Sequence, residues 1–372
     1  MNSSFKEIFF TKTLMQWHSI ENARSMPWKE EKDPYKIWLS EIILQQTRVN
    51  QGLEYYKKFV EKYPTIGQLA TAKEQEVFKI WEGLGYYSRC RNLIHTAKVI
   101  SNEYKGVFPN NFEAVLKLKG IGIYTASAIL SFAFNAPYAV VDGNVARVLS
   151  RYFLIDNEID SPAGKKLLQQ MADLLLDKSQ PAKYNQAIID FGAQVCTPRN
   201  PKCPACPLQL HCGAYQHNLV DELPVKKKKA QKRKRFFYFI MFQSKGKTLI
   251  RKRNQKDIWE DLYEFPSKEV AKLFATQKPV FKIPVEFVEE TAVIKTHEII
   301  KLRQVLTHQL IEAVFLHCEV EDLPRVAGFK EVLLGKIKTF AFPRIIQHFL
   351  SALQQPLPAI QGKKAPRRLR NK

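Results

Sequence analysis

A chain of 372 residues, 45% of them hydrophobic, can bury two or three separate cores. Its 58 Lys and Arg against 36 Asp and Glu give a formal +22 and favour a polyanionic partner; without the fourteen basic residues of two runs, 226–235 and 363–372, about +8 remains. No apolar run reaches the roughly 18 residues of a membrane span, and Met1 to Glu7 lacks the charged and apolar regions of an export signal. A membrane protein and a secreted one are therefore both argued against, and a cytoplasmic location is expected.

The first elements read as helix after helix. Segments 5–21, 34–47, 51–63, 73–81, 88–104 and 112–118 carry apolar residues at three-four spacing, with Gly or Pro between them. A further apolar run, 125–134, follows Gly120-Ile121-Gly122, so segments 112–118 and 125–134 form a predicted helical hairpin. Gly120 and Gly122 can take positive φ and leave backbone N–H groups uncovered where a phosphate can sit. Asp142 then precedes a new helix and is expected on the same side. Strand signatures begin only beyond the basic run, at 236–242, 247–251, 291–303 and 310–317, with helices expected at 268–274 and 343–353. The predicted organisation is multidomain. An all-α body spans 1–213, a basic linker 214–235, an α/β domain 236–353, and a disordered basic tail 354–372.

Four cysteines, Cys196-x6-Cys203-x2-Cys206-x5-Cys212, lie within seventeen residues punctuated by prolines. Four thiolates in such a loop suit zinc or an iron–sulfur cluster, and the presence of a single C-x2-C pair tilts the reading towards a cubane. Arg199, Lys202 and His211 give the same loop positive charge. Cys90 and Cys318 read as inert buried thiols. In Ile37-Trp38-Leu39-Ser40-Glu41-Ile42-Ile43-Leu44 the carboxyl of Glu41 stands among apolar neighbours. Burial raises a carboxyl pKa and can keep it protonated as a general acid, whereas the plainer alternatives are an ordinary exposed Glu or one paired with a lysine such as Lys36. With Asp142 it would form a pair of carboxylates in different environments, as cleavage of a glycosidic bond requires.

The hairpin with Asp142, the cysteine loop, Leu39-Ser40-Glu41-Ile42-Ile43-Leu44-Gln45-Gln46-Thr47 and Gly83-Leu84-Gly85-Tyr86-Tyr87 together resemble the MutY family of adenine DNA glycosylases, within the endonuclease III helix-hairpin-helix superfamily. The resemblance runs from about residue 5 to 350 and implies a [4Fe-4S] cluster on Cys196, Cys203, Cys206 and Cys212. It implies that Glu41 protonates adenine at N7, that Asp142 stabilises the sugar cation or bonds to it, and that Asn144 orients Asp142. Tyr124 stands where bifunctional relatives carry a nucleophilic lysine, so a monofunctional hydrolase without strong lyase activity is expected. Arg24-Ser25-Met26-Pro27-Trp28 resembles the family's R-x-L-P-W segment at the adenine pocket, with Met26 in place of Leu. Gln186 matches the side chain that reads the base edge, and Gln46 and Tyr86 match residues that wedge into the duplex.

Beyond the linker the chain is similar to the family's Nudix-like recognition domain. Trp259-Glu260-Asp261-Leu262-Tyr263-Glu264-Phe265-Pro266 resembles its W-x-x-L-x-x-F-P segment, with acidic residues where glycines are common. Leu306-Thr307-His308 stands at the family's Phe-Ser-His loop for 8-oxoguanine; His308 and the Thr307 hydroxyl match, and Leu306 lacks the ring. No glutamate-rich Nudix box is present, which argues against pyrophosphate hydrolysis. The resemblance implies base excision repair by a monomer whose partner is double-stranded DNA with adenine opposite 8-oxoguanine or guanine, in a bacterial cytoplasm. Two rival readings are an endonuclease III-type lyase, opposed by Tyr124, and a non-enzymatic DNA-binding scaffold, opposed by the Glu41 and Asp142 pair.

Overall fold

The computed structural model describes residues 3–227, 231–273 and 293–353, and the chain divides into two units after Ala230. In the first unit the described elements are helical: α1 (Ser3–Ile20), α2 (Pro34–Leu44), α3 (Val49–Lys62), α4 (Ile66–Thr71), α5 (Glu74–Trp81), α6 (Tyr87–Glu103), α7 (Phe112–Lys117), α8 (Ile123–Phe134), α9 (Gly143–Phe153), α10 (Pro162–Leu175), α11 (Pro181–Gln194) and the single turn α12 (Gly213–Gln216). Short polar side chains set several starts. Asp33 accepts the Tyr35 N–H ahead of Pro34, Thr65 and Gln68 form a capping box, and Asn111 and Ser161 cap α7 and α10. Each such cap contributes about 1 kcal/mol. Among the described residues no helix is long and apolar enough to cross a membrane.

Helix α2 is buried on most of its circumference, at Tyr35, Ile37, Trp38, Leu39, Ser40, Ile42 and Ile43. A helix apolar all round belongs in an interior, and α2 accordingly packs against α3, α6 and α8. A second core lies where α1, α9, α10 and α11 meet, around Phe10, Trp17, Leu149, Tyr152, Leu168 and Phe191. The α7–α8 hairpin turns through Gly120 at φ +84°, and an added Cβ there would lie 2.8 Å from Asn92 Cβ. Gly122 does not use that freedom: it is the extended N-cap of α8, at φ −100°. Only Gly120 of the pair needs the left-handed region.

The second unit is a mixed sheet flanked by α13 (Arg344–Ala352). Its strands are β1 (Arg233–Ser244), β2 (Lys247–Lys252), β3 (Tyr263–Glu264), β4 (Ser267–Val270), β5 (Val293–Val305), β6 (Gln309–Val320) and β7 (Lys330–Leu333), in the main order β3-β2-β1-β6-β5. β1 runs parallel to β6, and the other pairings are antiparallel. The unbroken apolar run at 236–242 follows from this central place, since β1 is covered on both faces. α13 closes one face through Phe349, whose ring stacks on Phe315 at 4.5 Å.

Three expectations change here. The helix foreseen at 268–274 is instead strand β4, paired with β1 from Ser267 to Val270, because sheet pairing overrides the helical propensity of Lys268 and Glu269; Phe274 lies outside the described residues. The stretch foreseen as linker contains α12 at its start and the first residues of β1 at its end. Arg235, read as part of a solvated charge run, is only 9% exposed and pairs with Asp257 and Glu269. Residues 228–230 of that run and the tail 354–372 lie outside the described residues. Asp261, one of the acids standing where glycine is common, takes φ +69°, and Glu264 is buried against Arg251 and Arg253.

α11 crosses α9 where a side chain has no room. A Cβ added at Gly192 would lie 2.7 Å from Asn144 Cβ and 3.0 Å from its carbonyl oxygen. Gly192→Ala should therefore destabilise the helical unit by about 1–3 kcal/mol, as overpacking does, and lower its thermal melting midpoint by several degrees. An unchanged midpoint would show that the helices part freely at this crossing.

Candidate active site

Helices α2, α8, α9 and α11 converge on a cavity of about 520 Å³. Its wall brings together eight of the residues singled out in the sequence: Arg24, Trp28, Glu41, Gln46, Tyr124, Asp142, Asn144 and Gln186. Ile37, Ser40, Glu41 and Leu44 reach it because positions three and four apart share a helix face. The structure leaves Tyr86, Gly120 and Gly122 off this wall, on the loop before α6 and on the α7–α8 hairpin. Thr307 and His308 belong to the second unit, on the tight turn joining β5 and β6, where the Leu306 N–H donates to the Gln309 carbonyl. Trp28, half-buried, meets Tyr56 edge to face at 5.4 Å.

Asp142 is the N-cap of α9. Its Oδ1 accepts the backbone N–H of Asn144 and of Val145, both at 2.8 Å, and its Oδ2 accepts Asn144 Nδ2 at 2.8 Å. Asn144 is itself held by the Arg147 guanidinium, which donates to its Oδ1 at 2.8 Å and to the Gly192 carbonyl at 2.7 Å. Burial pushes the Asp142 carboxyl above the usual aspartate range, against these donors and the Arg147 charge, which favour the anion. Glu41 is pushed up to about 7, first by burial, while the Tyr124 hydroxyl donates a hydrogen bond that opposes the rise and the Asp142 charge adds to it. Burial raises the Tyr124 hydroxyl well above its ordinary value, so it stays neutral and can only donate or accept hydrogen bonds. The cavity thus holds two carboxyl groups in different surroundings, Glu41 on buried helix α2 with the Tyr124 hydroxyl as its donor and Asp142 at the N-terminus of α9 with three N–H donors.

Asp190 was not singled out in the sequence. It is fully buried and collects Arg24 NH1 at 2.7 Å, Asn22 Nδ2 at 2.8 Å and Lys29 Nζ at 3.1 Å. Gln186, one turn earlier on α11, also donates to it. Burial raises the Asp190 carboxyl, but these four partners hold it below the usual carboxylate range. One acid therefore fixes the irregular segment of Arg24 and the Gln186 amide together. The available signal was a lone acid at the end of the apolar stretch Ala187-Ile188-Ile189, four residues after Gln186.

The cysteine loop follows α11. Cys196, Cys206 and Cys212 pack against the α1/α9/α10/α11 core, and Arg147 Nε donates to the Cys196 carbonyl at 2.7 Å. Arg151 NH1 lies 3.5 Å from Cys196 Sγ and donates to the Thr197 carbonyl at 2.8 Å. Burial pushes the Cys206 thiol up to about 12, and the sulfurs of Cys196, Cys203 and Cys212 add to the rise, so the four lie within electrostatic reach. Among the described residues no group of three or more His, Cys, Asp or Glu side chains is arranged to hold a metal ion as it stands. The donor set itself is all sulfur, beside two buried arginines, which is the chemistry an anionic thiolate cluster needs.

Residues 39–175 match the family model described as HhH-GPD superfamily base excision DNA repair protein, and residues 237–352 match the NUDIX domain model. The adenine DNA glycosylase of Buchnera aphidicola subsp. Baizongia pistaciae is 39% identical over 260 residues, covering 70% of this chain and 74% of that one. The adenine DNA glycosylase of Arabidopsis thaliana is 31% identical over 391 residues, covering 91% of this chain and 61% of its own length. Among solved structures, a thermostable thymine-DNA glycosylase superposes with a TM-score of 0.54 at 31% identity, over 58% of this chain and all of its own. A trapped endonuclease III–DNA covalent intermediate superposes with a TM-score of 0.51 at 20% identity, over 59% of this chain and all of that one, a likeness of fold. With an all-helical unit, a Nudix-like sheet unit and this degree of identity across both, the chain belongs to the adenine DNA glycosylase family of the helix-hairpin-helix base excision repair superfamily.

Proposed function

We propose that this protein hydrolyses the N-glycosidic bond of adenine mispaired with 8-oxoguanine or guanine in duplex DNA and leaves an abasic site. The observation that carries the reading is the pairing of Glu41, raised to about 7, with the capped carboxylate Asp142 in one cavity. Glu41 gives its proton to N7 of the adenine. The C1′–N9 bond then breaks, its electron pair stays with the base, and the cation left at C1′ faces Asp142. Asp142 stabilises that cation or bonds to it until water adds, the water's proton passing to the carboxylate now on Glu41. Asn144 orients Asp142, while Tyr124 holds the Glu41 carboxyl and offers no amine for a Schiff base.

Arg24, Trp28 and Gln186 form the adenine pocket, with Asp190 fixing two of them. Gln46 and Tyr86 wedge the duplex apart, and backbone N–H groups of the Gly120 to Gly122 turn receive a phosphate. Thr307 and His308 read the 8-oxoguanine strand, less selectively than an aromatic residue at position 306 would allow. Cys196, Cys203, Cys206 and Cys212 would hold a [4Fe-4S] cluster, which stiffens the loop that Arg147 and Arg151 anchor. A reducing, DNA-associated compartment suits those thiolates.

Incubating the protein with a labelled duplex bearing one adenine opposite 8-oxoguanine, followed by alkali, should give a break at that adenine, and a thymine·guanine duplex should stay intact. A background-level adenine signal, or preferential loss of thymine, would overturn the substrate reading. Above about pH 7 the single-turnover rate should fall about tenfold per unit, because the proton on Glu41 is the reactant. Glu41→Gln should abolish excision with binding retained; near wild-type excision would remove Glu41 from the mechanism.

The same shift has a stability consequence of definite sign. Glu41 binds its proton more tightly in the folded state than in the unfolded one, so wild-type stability falls as pH rises from the unfolded value towards about 7. Glu41→Gln should escape this loss and exceed wild type by up to about 3 kcal/mol at pH 8, with little difference at pH 4. Equal stabilities at pH 8 would contradict the raised value. Purified protein should also absorb near 400 nm, a band lost when Cys203 and Cys206 are replaced by Ser; a colourless, iron-free wild type with full activity would remove the cluster from the account.

A further inference from the structure

Two non-glycine residues beside the site are held in the left-handed region, Gln46 at φ 56° and Tyr86 at φ 48°. They are 40 positions apart in sequence, and both match residues that wedge into the duplex in the family this chain resembles. L side chains avoid this region unless their surroundings hold them there. One buried side chain contacts both turns. Arg89, 8% exposed on α6, points its NH1 at the end of α2, 2.9 Å from the carbonyls of Ile42 and Ile43 and 2.5 Å from that of Gln45. Its NH2 reaches the Gly85 carbonyl at 3.3 Å, both nitrogens lie 3.4 Å from Thr47 Oγ1, and the guanidinium faces the Tyr86 ring at 5.4 Å. Helix α2 has no basic residue in its own last turn, so Arg89 supplies from another helix both the positive charge and the donors that its terminal carbonyls lack.

We propose that Arg89 is a positioning residue for base extrusion, locking the Gln46 and Tyr86 turns into one rigid unit that drives the target nucleotide out of duplex DNA. This rests on the glycosylase reading above. A wedge transmits force to a base stack only if its own backbone does not yield. Without the guanidinium the α2 carbonyls lose their donors and both left-handed turns are free to relax, swinging Gln46 and Tyr86 away. A lysine at position 89 keeps charge but cannot span both turns with one planar fork. Arg89 touches neither the cavity carboxylates nor the base, so its effect should appear where extrusion is difficult and vanish where it is easy.

Single-turnover excision by Arg89→Met and Arg89→Lys should be compared on two duplexes, one with adenine opposite 8-oxoguanine and one with adenine opposite an abasic-site analogue, where no partner base resists extrusion. Arg89→Met should lose about 30-fold or more on the paired duplex and less than about threefold on the other, with Arg89→Lys between it and wild type. In a Glu41→Gln background, where no base is cut, 2-aminopurine beside the target adenine should brighten on binding and lose most of that signal when Arg89 is also replaced. Equal losses on both duplexes, or an unchanged 2-aminopurine signal, would overturn the proposal. Should Arg89→Met fail to fold, Arg89→Lys and Thr47→Val must show the same selective loss for the proposal to stand. A wild-type protein that brightens 2-aminopurine but cuts neither duplex would sink the glycosylase reading and leave the wedge assignment standing.

Discussion

A carboxylate capping a helix, held by three N–H donors from two residues, is the constraint on which the site depends. Asp142 cannot turn away from the cavity without uncapping α9, and Asn144 cannot release it without abandoning Arg147. That geometry keeps the anion in place where burial works against it. The fixed charge then acts across the cavity on Glu41, whose rise to about 7 has burial as its first cause and Asp142 as a further one. The two carboxyl groups stand in different environments because one is supplied with three N–H donors and the other, apart from the Tyr124 hydroxyl, is not.

The supporting structure uses few residues for several tasks. Arg147 orients Asn144 and also ties the cysteine loop, so the loop and the capped carboxylate share one guanidinium. Asp190 joins the segment before α2 to α11, and Gly192, two residues later, permits α9 and α11 to approach. Such polar networks are costly to break, because each partner removed leaves a buried group unsatisfied. In the second unit the same economy links Arg235, Arg253, Asp257 and Glu264 by ion pairs, where charges that look like surface residues are largely enclosed.

Much of this was legible in the residues. The apolar periodicity of the first half points to a helical body, and the family resemblance of the motifs around Glu41, Tyr124 and Asp142 singles out three residues that line one cavity. What escaped was set by tertiary context. Asp190 carries no motif and acquires its role only when Arg24 and Lys29 fold onto α11. Two glycines stand close together in the hairpin, but the sequence does not say which one turns it, and only Gly120 uses the left-handed region. β4 was mistaken for helix because its four residues have no intrinsic strand pattern and are ordered by pairing with β1. Arg235 belongs by composition to a basic run, and only the opposing Asp257 and Glu269 distinguish it from its neighbours.

The proposed chemistry depends on the protonation of Glu41. Carbon-13 labelling of the glutamate side-chain carboxyls, with Glu41 assigned by its loss in Glu41→Gln, allows its titration to be followed by NMR in the free protein. A midpoint near 7 in wild type, shifted downwards in Asp142→Asn where the neighbouring charge is gone, is the predicted result. A midpoint at the ordinary glutamate value, or one indifferent to Asp142, would contradict the assignment of Glu41 as an acid poised by its partner.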